Sequence, residues 1–264
     1  MNTACSYGAA LYAQGAQATI RFTQDSADRW RFRPDIGIVS RAGAWAAVIV
    51  SQLAMRLYLS SYRFGDRPAD LLALMRGGRR AIIVSNALDN IPRSVRVMYE
   101  ATVYDQREAF AAIGVDADHL DLRAYFGHQG GLRERLAAND LVWVTGGNSF
   151  LLMRAMVQSG FIPLIREMLA RDKIVYGGYS AGAVVATPSL RGIDLMDAPH
   201  EIAEGYEPAA IWDGMGLVDF SIVPHYRSNH PESPLAEKVA DYLTANKTKF
   251  ITLRDGEVFV RDDG

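Results

Sequence analysis

Cysteine is nearly absent from the 264 residues, with Cys5 alone near the N-terminus. One thiol forms no intrachain disulfide and excludes a cysteine-rich metal site. Its place outside any periodic apolar segment also argues against a cysteine nucleophile. Lysine is almost as scarce, confined to Lys173, Lys238, Lys247 and Lys249. The bias toward arginine reads as genome composition rather than phosphate binding. With 28 basic and 30 acidic residues, the net charge is -2. That gives neither the basic excess of a nucleic-acid binder nor an acidic disordered tail.

No apolar run reaches the ~20 residues that a bilayer requires. The longest, Ala42 to Met55, lies too far from the N-terminus for a signal peptide, and no small-residue cleavage site follows it. The histidines at 119, 128, 200, 225 and 230 lack the i, i+4 spacing of a helical zinc site. The expectation is therefore a cytoplasmic protein with no metal, no cofactor, no nucleic acid and no membrane among its partners.

Apolar residues make up 49% of the chain, enough for one large α/β domain. Residues 1–54 are rich in Ala, Gly, Ser and Arg and show no clear amphipathic period. They are expected to form a flexible extension, or to lie upstream of a true start at Met55, leaving 55–264 as the core domain. From Met55 strands and helices alternate. Strands are predicted at 56–61, 80–84, 119–125, 141–145, 174–176, 218–223, 250–253 and 257–261. Helices are predicted at 68–75, with Asp66 a possible N-cap, and at 92–113, 132–138, 149–158, 163–171, from Ala181, and at 234–245. This alternation implies βαβ crossovers and a mostly parallel sheet with helices on both faces. Sites in such sheets lie outside the carboxyl ends of the strands. The residues just past those ends are Asn86, Gly146-Gly147-Asn148, Ser180, His225 and Asp255.

Gly178-Tyr179-Ser180-Ala181-Gly182 sits between a strand and a helix, the context of a nucleophile elbow. The Ala181 N–H then faces a developing oxyanion. A structural turn is the bland alternative. Serine needs a base, and His225 ends the run Phe220 to Pro224; His200 and His230 are rival bases in less suitable places. Asp255 follows another strand and is the candidate orienting acid, although Asp255-Gly256 is also a hairpin signal. Glu257 is its neighbour, pointed elsewhere by alternation. The order Ser-His-Asp differs from that of α/β-hydrolases. Gly147 offers a second oxyanion N–H and Asn148 a hold on a substrate amide; a phosphate loop is disfavoured because no Gly-Lys-Ser/Thr follows.

Together these pieces resemble the peptidase E family of aspartyl dipeptidases, to which cyanophycinases are related. The matching segments are Gly146-Gly147-Asn148-Ser149-Phe150, Gly178 to Ala183, and Pro224-His225-Tyr226, within a resemblance running from Met55 to about Arg261. Leu59-Ser60-Ser61 and Ser85 to Asp89 also look similar. The resemblance implies a three-layer sheet similar to class I glutamine amidotransferases, flavodoxin-like in outline. It also implies a metal-free serine dipeptidase, monomeric or homodimeric, cleaving small peptides with an N-terminal aspartate. The family's third triad member is a glutamate before glycine, where this chain has Asp255. In the stretch Ser189 to Asp194, one residue shorter than in the family, Arg191 would bind the substrate β-carboxylate and Asp194 its α-ammonium group. Val184 replaces an asparagine common after the elbow. A cyanophycinase-like amide hydrolase and a non-catalytic binding module of the same fold are the alternatives.

Overall fold

The computed structural model describes residues 8–13, 16–24, 30–32, 55–128 and 130–263. The chain divides into two compact units, Met1–Gln52 and Leu53–Gly264. In the first, β1 (Gly8–Ala13), β2 (Ala16–Gln24) and β3 (Trp30–Phe32) pair antiparallel in that order. Cys5 and the apolar stretch up to Ala54 lie outside the described residues.

The second unit is built on a six-stranded sheet. Its strands are β4 (Arg56–Ser60), β5 (Arg80–Val84), β6 (Asp116–Leu120), β7 (Leu141–Val144), β8 (Val175–Tyr179) and β11 (Val258–Asp262). Their order is β11-β4-β8-β7-β5-β6, and all pairs are parallel except β11 with β4. Two further strands, β9 (Ser221–Val223) and β10 (Phe250–Thr252), pair in parallel as a separate small sheet.

Side chains of β4, β5 and β7 alternate between two cores, which is why these runs are largely apolar. Leu57, Leu59, Ile82, Val84, Val142 and Val144 enter one core. There they meet α5 (Ser149–Gln158), α6 (Phe161–Ala170), the short α7 (Ala181–Val184) and α8 (Ser233–Ala245), with α4 (Leu132–Ala137) adding Leu132 and Leu136. Tyr58, Ala81, Ile83, Leu141 and Trp143 enter the other, under Leu71 and Leu74 of α1 (Pro68–Leu74) and Phe110 of α3 (Gln106–Ala112). The architecture is the expected mostly parallel sheet with helices on both faces. Among the described residues, no helix is long and apolar enough to cross a membrane.

Several boundaries differ from expectation. The single helix expected at 92–113 is two, α2 (Arg93–Thr102) and α3, because the Asp105 carboxylate caps a new start by accepting the N–H groups of Arg107 and Glu108. The strand expected at 119–125 ends at Leu120, where Asp121 accepts the Arg123 N–H and begins a 3₁₀ turn. Asp66 does not cap α1; Arg67 stands at the cap without a side-chain bond. Asp255-Gly256 closes no hairpin, since β10 pairs with β9 and β11 with β4.

The segment after β8 is the tightest part of this packing. A Cβ on Gly182 would collide with the Val144 carbonyl, so only glycine lets α7 rest against β7. The Tyr176 hydroxyl donates to the Gly182 carbonyl at 2.7 Å and fixes the same contact. Gly182→Ala is therefore expected to destabilise the second unit by roughly 1–3 kcal/mol or more, read as a lower urea midpoint at unchanged slope.

Candidate active site

Polar residues just past four strand ends, those of β4, β8, β9 and β10, meet at one place. Past β8, Ser180 takes φ 49° and ψ -117°. This strained conformation is that of a serine on a sharp strand-to-helix turn. The Ser180 N–H is held by the carbonyls of Ser60 (3.2 Å) and Ser61 (3.1 Å) at the end of β4. Past β9, His225 also has positive φ, at 60°, and is only 1% exposed.

His225 Nε2 lies 3.1 Å from Ser180 Oγ, and its Nδ1 lies 2.8 Å from Asp255 Oδ1. The Ser61 hydroxyl donates to Asp255 Oδ1 and accepts the His225 N–H, each at 2.8 Å. The Asp255 N–H donates in turn to Ser228 Oγ at 2.8 Å. Burial pushes the His225 pKa down, and the neighbouring His230 adds to this, against the raising effect of Asp255 and Glu232.

The cleft holds about 280 Å³ and is lined by Ser180, His225, Gly146 and Gly147, with Leu88, Ile91, Val95 and Tyr99 among its apolar walls. Gly147 has φ 131°, and a Cβ there would stand 2.5 Å from the Ala87 carbonyl oxygen. Ala181 is buried at the first position of α7. Among the described residues, neither the Gly147 nor the Ala181 N–H donates a hydrogen bond.

Three expected binding residues stand elsewhere. Asn148 does not line the cleft. Its Oδ1 caps α5 by accepting the N–H groups of Phe150 and Leu151, and its Nδ2 donates to the Ala198 carbonyl and Glu201. Its amide is thus used up in holding the 198–201 segment, which Arg154 also holds through the carbonyls of Pro199 and Glu201. Arg191 is exposed over the Trp212 ring at 5.2 Å. Asp194 is exposed too and accepts the Gly192 N–H. Neither lines the cleft.

The rival acid Glu257 turns back to the Arg254 N–H. The rival base His230 stacks on His225, with centroids 3.8 Å apart and planes at 9°. Sequence reasoning missed Ser61, Arg96 and Glu232 as parts of this site, and named His230 only as a rival base. Ser61 was findable, since it directly follows the apolar strand β4.

His225, His230 and Glu232 present possible metal-ligating atoms within 4.8 Å of one another. They form a poor metal cradle, because lone pairs in two nearly parallel ring planes do not converge on one point. Nε2 of His225 is moreover engaged with Ser180.

The chain matches peptidase family S51 over residues 90–264. An uncharacterized peptidase of Listeria innocua is 38% identical over 129 residues, which is 48% of this chain and 58% of that protein. Peptidase E of Streptomyces coelicolor is 34% identical over 159 residues, 57% of this chain and 58% of that one. The matches thus span less than two thirds of either relative's length. Among solved structures, a candidate peptidase E protein from Listeria monocytogenes EGD-e superposes with a TM-score of 0.60 at 25% identity, covering 79% of this chain and 98% of that one.

Ser61→Ala removes the acceptor of the buried His225 N–H and a donor to Asp255. It is expected to cost about 1–3 kcal/mol, measured by chemical denaturation against the unaltered protein.

Proposed function

The chain belongs to peptidase family S51, and on that premise we propose that it is a serine peptidase cleaving short peptides, foremost dipeptides with an N-terminal aspartate. The observation that carries this reading is the line from Ser180 Oγ through His225 to Asp255 at 3.1 and 2.8 Å, beside the cleft that Ser180 and His225 line. In the first half-reaction Ser180 Oγ attacks the substrate carbonyl while His225 Nε2 takes the hydroxyl proton. His225 then returns that proton to the leaving amine, which departs from an acyl-enzyme. Water repeats the sequence and frees Ser180. Asp255 fixes the Nδ1–H tautomer and stabilises the imidazolium that forms. The N–H groups of Gly147 and Ala181 serve the oxyanion, a role in which losing one donor costs ~3 kcal/mol.

Aspartate preference rests on the resemblance to peptidase E and on a cation able to meet the β-carboxylate. With Arg191 over Trp212, that cation is Arg96, which lines the cleft 3.1 Å from Asp89. Because Arg191 and Asp194 stand apart from the cleft, a β-aspartyl amide is the second reading. A panel of α-Asp, β-Asp and Leu dipeptides separates the two.

Ser180→Ala is expected to abolish dipeptide hydrolysis with the fold retained by circular dichroism; full activity in that variant overturns the reading. Asp255→Asn is expected to lower kcat by about 10⁴-fold through the wrong tautomer. A neutral His225 is the active base, and protonation removes it, so kcat/KM falls as the pH drops through the His225 pKa. Burial places that pKa below the ordinary 6.5, so the acid limb of the kcat/KM profile is expected below pH 6.5.

A further inference from the structure

Glu232 brings a carboxylate to the reacting centre without a Lys or Arg partner among the described residues. It lines the cleft, and its side chain is 41% exposed. Its Oε2 lies 3.7 Å from His225 Nε2, the atom that faces Ser180 Oγ, and 3.9 Å from His230 Nδ1. Both separations exceed a hydrogen bond. The distance to the histidine is about the length of one residue, ~3.8 Å between Cα atoms. The carboxylate is therefore in reach of a group on either residue flanking the scissile bond.

Its surroundings hold it there. Glu232 lies between Pro231 and Ser233-Pro234, and its N–H donates to His230 Nδ1 at 3.2 Å. Ser233 Oγ accepts the Ser228 N–H, and Ser228 Oγ accepts the Asp255 N–H, so the segment is tied to the triad acid. Glu232 precedes α8 at its cap position, yet its side chain makes no cap bond. Helix capping does not account for the carboxylate.

The local field is acidic as well. Burial pushes the Asp197 pKa up to about 6, and repulsion from Glu232 and Glu201 adds to it. Beside apolar walls, an unpaired carboxylate attracts a cation more strongly than it would in water.

We infer that Glu232 is the anchor for a positive charge on the substrate, and so sets which short peptides are cleaved. This rests on the peptidase reading above. The charge has two possible sources, the α-ammonium group of the acyl residue or a basic side chain on the leaving residue. Four substrates with one scissile bond type separate them: free or N-acetylated at the N-terminus, each with leucine or lysine as the leaving residue.

Glu232→Gln is expected to raise KM for the charged substrates by about 10- to 100-fold, with a far smaller change in kcat. Glu232→Asp should recover part of that loss. A penalty that follows the free amine assigns the ammonium group; one that follows lysine assigns the side chain. Equal losses on all four substrates, or a fall in kcat with a shifted pH profile and unchanged KM, overturn the inference and make Glu232 a positioning residue for His225. The two readings fail separately. Activity in Ser180→Ala ends the peptidase mechanism, whereas an inactive Ser180→Ala with a charge-blind Glu232→Gln ends only this one.

Discussion

Burying one imidazole constrains everything around it. A ring as enclosed as His225 is stable only if its polar atoms find partners. Nδ1 has Asp255, Nε2 has Ser180 Oγ, and the backbone N–H has Ser61 Oγ. Those partners follow β10, β8 and β4, while the histidine follows β9. Satisfying a single side chain therefore fixes four strand ends from two sheets relative to one another. The positive φ values of Ser180 and His225 are the strain stored in that arrangement.

The large sheet makes the strain tolerable. β8 lies between β4 and β7 and is apolar on both faces, so the segment leaving it starts from a rigid support. Trp143 on β7 packs beside Tyr58, Phe64 and Phe110 on one side of the sheet. On the other side Gly182 lets α7 lie directly on β7. The Ser180 turn is held at both ends by packing, and by the carbonyls of Ser60 and Ser61 from the side. Its hydroxyl is presented to the histidine without needing a bond of its own to hold the backbone.

How much of this was legible follows from the same physics. Ser180, His225 and Asp255 could be read because each ends a short apolar run, and parallel strands present their carboxyl ends to one edge. Arg191 and Asp194 rest on spacing within a motif, and spacing does not say which way a loop turns; Asn148 rests on its place after β7, and a strand end alone does not say which way a side chain points. The irregular chain after α7 carries Arg191 to the Trp212 ring and folds Asp194 back on Gly192. Asn148 answers a local need, the orphan N–H groups at the start of α5, before any substrate. The long helix expected at 92–113 failed for a related reason. No proline or glycine interrupts residues 93–113, but the Asp105 carboxylate offers the backbone a new start. Glu232 was hidden because a Pro-Glu-Ser-Pro loop looks like any polar connection until the fold brings it against His225.

Under the proposed peptidase reading, the electrostatics of the cleft link binding to chemistry. His225 stands between opposing influences: burial and the stacked His230 favour the neutral ring, while Asp255 and Glu232 favour the imidazolium. Burial dominates, so the neutral ring is favoured. A substrate cation at Glu232 would neutralise one of the two influences that raise the pKa, and leave Asp255 in place at Nδ1. In the proposed mechanism Asp255 is the one needed when the proton arrives, because its 2.8 Å bond to Nδ1 would steady the imidazolium directly. On the proposed reading, a cation at the charge subsite would offset a raising influence on His225 while leaving its Asp255 partner in place. On this account the two carboxylates near one histidine are not redundant: the one at Nδ1 serves the reaction, and the one near Nε2 serves the substrate.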